Sequence, residues 1–146
     1  MKNLILFIAL FVFTLSIQSQ DKVYTLTEVD VAPKMKNYKN IDSLDSKRNF
    51  KRSIKRFIVI NLDLSRYNGE KTRVFVEFVI KDNGKFEILR VKGRSDQAKA
   101  IVVKAMEKIK KMQPASINEE SVSMSFIIPV TLNEVIIIDK TRNSKW

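Results

Sequence analysis

Hydrophobic and polar positions along the chain follow distinct rhythms. Residues 4–15 are apolar almost without a break. From Val23 to Val31, β-favouring residues alternate with polar ones up to Pro33, which predicts a short strand. Residues 34–44 are polar and irregular and read as a loop. Phe50, Ile54, Phe57, Ile58 and Asn61 then recur at helical spacing, with Asp45 or Ser46 placed to cap the helix.

Two β-rich runs follow, Arg73 to Lys81 and Phe86 to Lys92, around Asn83-Gly84. That dipeptide suits a two-residue primed turn in which both residues take positive φ. In that register Phe78 faces Leu89, Val76 faces Val91 and Glu77 faces Arg90, leaving one apolar face and one polar face. A three-residue Asp82-Asn83-Gly84 loop with a bulge is the alternative. Ser95 can cap a second helix, with Asp96 at its positive end. Its buried stripe is Ala98, Ile101, Val102, Ala105, Met106, Ile109 and Met112, and Pro114 stops it. The methionines read as core. In Ser121–Leu132, Val122, Met124, Phe126 and Ile128 point one way and Ser121, Ser123 and Ser125 the other. Pro129 cannot donate a ladder hydrogen bond, so it suits an edge strand or a bulge. Val135–Ile138 is a further apolar run, and 139–146 a basic tail.

The order helix, strand, strand, helix, strand predicts an α+β fold. It has a three-stranded antiparallel sheet with two helices on one face, and Val135–Ile138 is the candidate fourth strand. Ser121–Leu132 then lies at an edge. The domain plan is a signal peptide at 1–19, an N-terminal extension with a short strand at 20–45, the globular domain at 46–132 and a C-terminal tail at 133–146.

Composition narrows the chemistry. The 146 residues include neither His nor Cys. Imidazole and thiolate are therefore missing as bases, nucleophiles or metal ligands, and no enzyme, cofactor or metal site is expected. Asp42, Asp45, Glu119 and Glu120 sit in polar stretches and read as surface carboxylates. Met1-Lys2-Asn3, the apolar run and the polar residues 16–20 follow the order of a secretory signal, with cleavage after Ser19. As a helix, residues 4–15 span about 18 Å, short of a hydrocarbon core of about 30 Å. The expected location is the periplasm; the alternative is an uncleaved inner-membrane anchor with the rest of the chain facing the periplasm.

The net charge is +11, from 27 Lys and Arg against 16 Asp and Glu. Such a surface attracts polyanions without choosing among them. Export makes nucleic acid an unexpected partner and leaves anionic lipid, envelope polysaccharide or acidic protein, including peripheral membrane contact. Lys47, Arg48, Lys51, Arg52, Lys55 and Arg56 crowd the first helix and form the candidate anion-binding face. Its ordinary reading is an amphipathic helix whose solvent side happens to be basic.

Residues 74–80, then Asn83-Gly84-Lys85, then 88–91 resemble the hairpin of the TonB C-terminal domain family. Lys111-Met112-Gln113-Pro114 is similar to that family's helix exit, and 122–130, closing on Pro129-Val130, to its final strand. The chain departs from the family at Tyr67-Asn68, where Tyr-Pro is usual, and at Met112, where Trp is common. The family's long Pro-rich spacer is also missing, so energy transduction is not expected. The resemblance implies a small exported module that binds an extended segment of an envelope protein, such as an outer-membrane transporter, by strand addition at a sheet edge. The candidate edge is Ser121, Val122, Ser123, Met124, Ser125, Phe126, Ile127 and Ile128. A structural subunit that self-associates through its edge is the other class left open.

Overall fold

The computed structural model describes residues 22–35, 45–65, 67 and 70–132. The expected signal at 1–19, the Val135–Ile138 run and the tail to 146 lie outside the described residues.

Helix α1, Ser46–Asn61, starts where Asp45 caps it: the Asp45 carboxylate accepts the Arg48 N–H at 2.9 Å. Ser46 has a different task, its hydroxyl accepting the Ala32 N–H at 3.2 Å and tying the N-terminal segment to the helix start. Helix α2, Asp96–Met106, is capped by Ser95, which accepts the Ala98 N–H at 3.1 Å. It ends at Met106, nearly two turns before the exit expected at Met112 to Pro114. Ile109 and Met112 are buried as expected, but they lie beyond the helix: the Ile109 N–H closes a turn onto the Met106 carbonyl at 2.9 Å, and Gln113 exchanges backbone bonds with Lys34. That pairing draws the backbone out of the helix before Pro114 can stop it.

The sheet contains the expected antiparallel trio. Strands β2 (Thr72–Ile80) and β3 (Phe86–Lys92) form the hairpin, and β5 (Glu120–Leu132) pairs with β2 on its other side. Two short strands join them. β1, Val23–Thr25, runs parallel to β5, and β4, Ala115–Ile117, pairs with the start of β5. The order is β1-β5-β2-β3, with β4 on β5. The strand expected over Val23–Val31 therefore stops at Thr25. There the Glu28 N–H bonds back to the Thr25 carbonyl at 3.1 Å, and the Glu28 carboxylate accepts the Thr25 N–H and hydroxyl. Those bonds hold the Glu28 carboxyl below its ordinary pKa.

The hairpin uses the three-residue loop. The Lys81 N–H donates to the Lys85 carbonyl and the Gly84 N–H to the Lys81 carbonyl, both at 2.8 Å. Gly84 alone takes positive φ there, +81°, so Asn83 does not form the primed turn. The longer loop shifts the register, and Phe78 faces Ile88 instead of Leu89. A bulge then leaves Leu89 unpaired and restores Val76–Val91 and Glu77–Arg90 to the expected pairs.

A primed turn does occur at Asn118-Glu119, joining β4 to β5, with φ of 48° and 68°. Asn tolerates that conformation; Glu does so at a cost of about 1 kcal/mol or more. Glu119→Gly is expected to stabilise the protein by about 1 kcal/mol, read as a higher urea midpoint with an unchanged slope.

Even-numbered residues of β2 and β5 point to one face. Val74, Val76, Phe78 and Ile80 meet Met124, Ile128, Val130 and Leu132 under Phe50, Ile54 and Ile58 of α1 and Ala98, Val102, Ala105 and Met106 of α2. Phe126 sits edge-on to Phe50 and Phe78, with ring centroids 5.5 and 6.0 Å apart. Leu26, Val29 and Ala32 from the N-terminal segment join the same core. Both helices thus cover one face of the sheet, and the other face carries no helix among the described residues.

Candidate sheet edge and basic helix face

The direction of the β5 backbone follows from the hairpin. Lys81 bonds Lys85, so odd-numbered β2 residues turn their N–H and C=O groups toward β3 and even-numbered ones toward β5. Val76 lies opposite Ile128 and Val74 opposite Val130. Ile128 and Val130 therefore bond β2, while Ile127, Pro129 and Thr131 turn their backbone groups outward. Pro129 fits this alternation: its missing donor falls on the side that β2 does not use.

The expected edge divides in two. Ser123, Met124 and Ser125 have β1 on the outer side, and Ser121 and Val122 pair with β4, so this half of the candidate site is not an open edge. The serine rim has structural work instead. Ser123 is buried, and its hydroxyl accepts the Asp82 N–H at 3.0 Å, fastening the hairpin loop to β5. The other half, Phe126, Ile127 and Ile128 and onward to Leu132, pairs with β2 alone among the described residues.

Beside that half lies an apolar shelf on the open face of the sheet. Ile127 is 55% exposed, Phe75 on the neighbouring strand is 44% exposed, and Pro129 pairs directly with Phe75. Phe75 and Ile127 are diagonal neighbours across β2 and β5, within reach of each other's side chains. Sequence reasoning placed Ile127 in the candidate edge and Phe75 in the hairpin, but did not bring the two together as an exposed patch. The available signal was Phe75 itself, an aromatic on the polar side of the Arg73–Glu77 alternation. The opposite edge, β3, is interrupted by the Leu89 bulge and flanked by charge, which blunts it as a pairing template. Lys85 and Glu87 pair there at 2.8 Å, which holds the Glu87 carboxyl below its ordinary pKa and raises that of Lys85. Arg90 and Glu77 pair at 3.4 Å.

On α1, the structure removes Lys47 from the basic face. Its ammonium donates to the Thr27 carbonyl at 3.0 Å, and the side chain is half-buried. Arg48, Lys51, Arg52, Lys55 and Arg56 are exposed. At 3.6 residues per turn they occupy one arc, facing away from Phe50, Ile54 and Ile58. The helix contains no Asp or Glu. Arg48–Arg52, Lys51–Lys55 and Arg52–Arg56 are therefore like-charged pairs four residues apart, each costing roughly 0.2–0.5 kcal/mol. Lys47 and Arg48 also sit at the positive end of the helix dipole, where cations are unfavourable. Among the described residues there is no group of three or more His, Cys, Asp or Glu side chains able to hold a metal ion.

No family model matches the chain, and neither a characterised protein nor a solved structure matches it.

Proposed function

We propose that this chain is a protein-binding module of the bacterial periplasm, not an enzyme, and that it captures an extended segment of an envelope protein by strand addition on Phe126–Leu132. One observation carries the reading. This stretch has outward-facing backbone groups at Ile127, Pro129 and Thr131, paired with nothing among the described residues, beside the exposed Ile127–Phe75 shelf. Backbone bonds to such an edge supply affinity, and the shelf selects apolar side chains at alternate positions of the guest. The resemblance of the hairpin and final strand to the TonB C-terminal domain supports the same mode, with an outer-membrane transporter as the class of partner. The guest gains one bond fewer at Pro129, so the contact is short and the affinity modest.

A photo-crosslinking residue at Thr131, in cells that produce the protein, tests the proposal. Covalent capture of an envelope protein is expected, and its loss when Ile127→Pro deletes an outward donor. Capture that is unaffected by Ile127→Pro, or equal capture from Arg90 on β3, would count against strand addition at β5.

A further inference from the structure

A second surface remains, and it is distinct from the β5 edge. The five exposed cations of α1, from Arg48 to Arg56, fall within about 12 Å along one side of a straight helix. Neighbouring like charges with no acidic residue on the helix work against its folding, so an anion against this face would relieve the repulsion. The shape of the face limits what that anion is. The cations project from a convex rod, which cannot enclose a small ion but can lie along an extended array of negative charge. Ile60, next to the arc at the far end of the helix, is 57% exposed. An apolar side chain beside a basic arc suits a bilayer interface, where the cations meet headgroup phosphates and the apolar group reaches the acyl boundary. It gains nothing from a polysaccharide or a nucleic-acid backbone.

We propose that the outer face of α1 docks on anionic phospholipid headgroups. α1 packs over β5 through Phe50 and Phe126, and the cations project from its opposite side. Docking therefore leaves the sheet turned toward the aqueous phase.

Co-sedimentation of the purified protein with vesicles tests this. Vesicles containing phosphatidylglycerol are expected to bind it and pure phosphatidylcholine vesicles not to, with binding that weakens steeply as salt rises. Lys51→Glu combined with Arg52→Glu is expected to lower binding about tenfold or more. The same charge change at Lys92 and Arg94, at the far side of the sheet, retains most of it. The α1 variant converts repulsive neighbours to attractive ones, so its thermal midpoint is expected to hold or rise, which separates lost binding from lost fold. Ile60→Ser is expected to weaken vesicle binding without changing retention on a sulfated polysaccharide. Equal binding to both kinds of vesicle, equal loss in the two double variants, or retention by polysaccharide or oligonucleotide with no vesicle binding would each overturn the assignment.

Discussion

Gly84→Ala is expected to cost about 3 kcal/mol or more, enough to unfold much of a marginally stable domain. Two effects add. Gly84 holds φ at +81°, a conformation that costs an L-residue roughly 1–2 kcal/mol. An added Cβ would also overlap the Met112 carbonyl oxygen, which is backbone and cannot swing aside. The Met112 N–H donates to the Gly84 carbonyl at 2.9 Å, so the hairpin tip and the segment after α2 are held together there. Moving one moves the other, and Met112 is buried while Gln113 is bonded to Lys34. Gly93→Ala provides the comparison. Its φ lies outside the left-handed region, and its Cβ would meet the Arg73 carbonyl and the Val74 side chain at 3.3 Å, for an expected cost of about 1 kcal/mol. Urea unfolding of both variants checks the ranking; a Gly84→Ala loss below that of Gly93→Ala would show that the loop can re-form elsewhere.

Proline at adjacent positions of β5 is expected to have opposite consequences. Ile128→Pro removes a donor that faces β2 and replaces a buried side chain, so a loss of about 3 kcal/mol or failure to fold is expected. Ile127→Pro removes a donor that faces outward from a half-exposed position, as Pro129 already does, and an expected cost of about 1 kcal/mol leaves the domain folded. Calorimetric melting of the two variants reads the difference directly. Similar losses would mean that the alternation of β5 is not the one derived from the Lys81–Lys85 bond. The comparison also underlies the binding test, because Ile127→Pro disables the free edge without disturbing the aromatic cluster around Phe126.

Much of the hairpin was legible in the sequence, for a reason that its detail exposes. Val76–Val91 and Glu77–Arg90 pair as expected even though the loop is one residue longer than a primed turn. The register is set by keeping apolar side chains on one face, and a bulge at Leu89 absorbs the mismatch. Periodicity sees the faces but not the bulge. The helix exit failed in the complementary way. Ile109 and Met112 continue the spacing of α2, so burial alone could not tell a longer helix from a non-helical segment that buries the same two residues.

The sequence by itself determined the two helices and the strands β2, β3 and β5, that Asp45 or Ser46 and Ser95 cap the helices, most of the core between the helices and these strands, and that the chain is basic with neither imidazole nor thiol. These follow from local spacing and from residue chemistry. Only the tertiary structure decided that β1 lies parallel against Ser123–Ser125, that β4 meets the start of β5, and that the open edge shrinks to Phe126–Leu132. Strand pairing joins backbone groups that are the same in every residue, across long separations in the chain. No side-chain pattern near Val23 names the strand it will lie beside, so which edge stays free emerges only when the whole sheet is assembled.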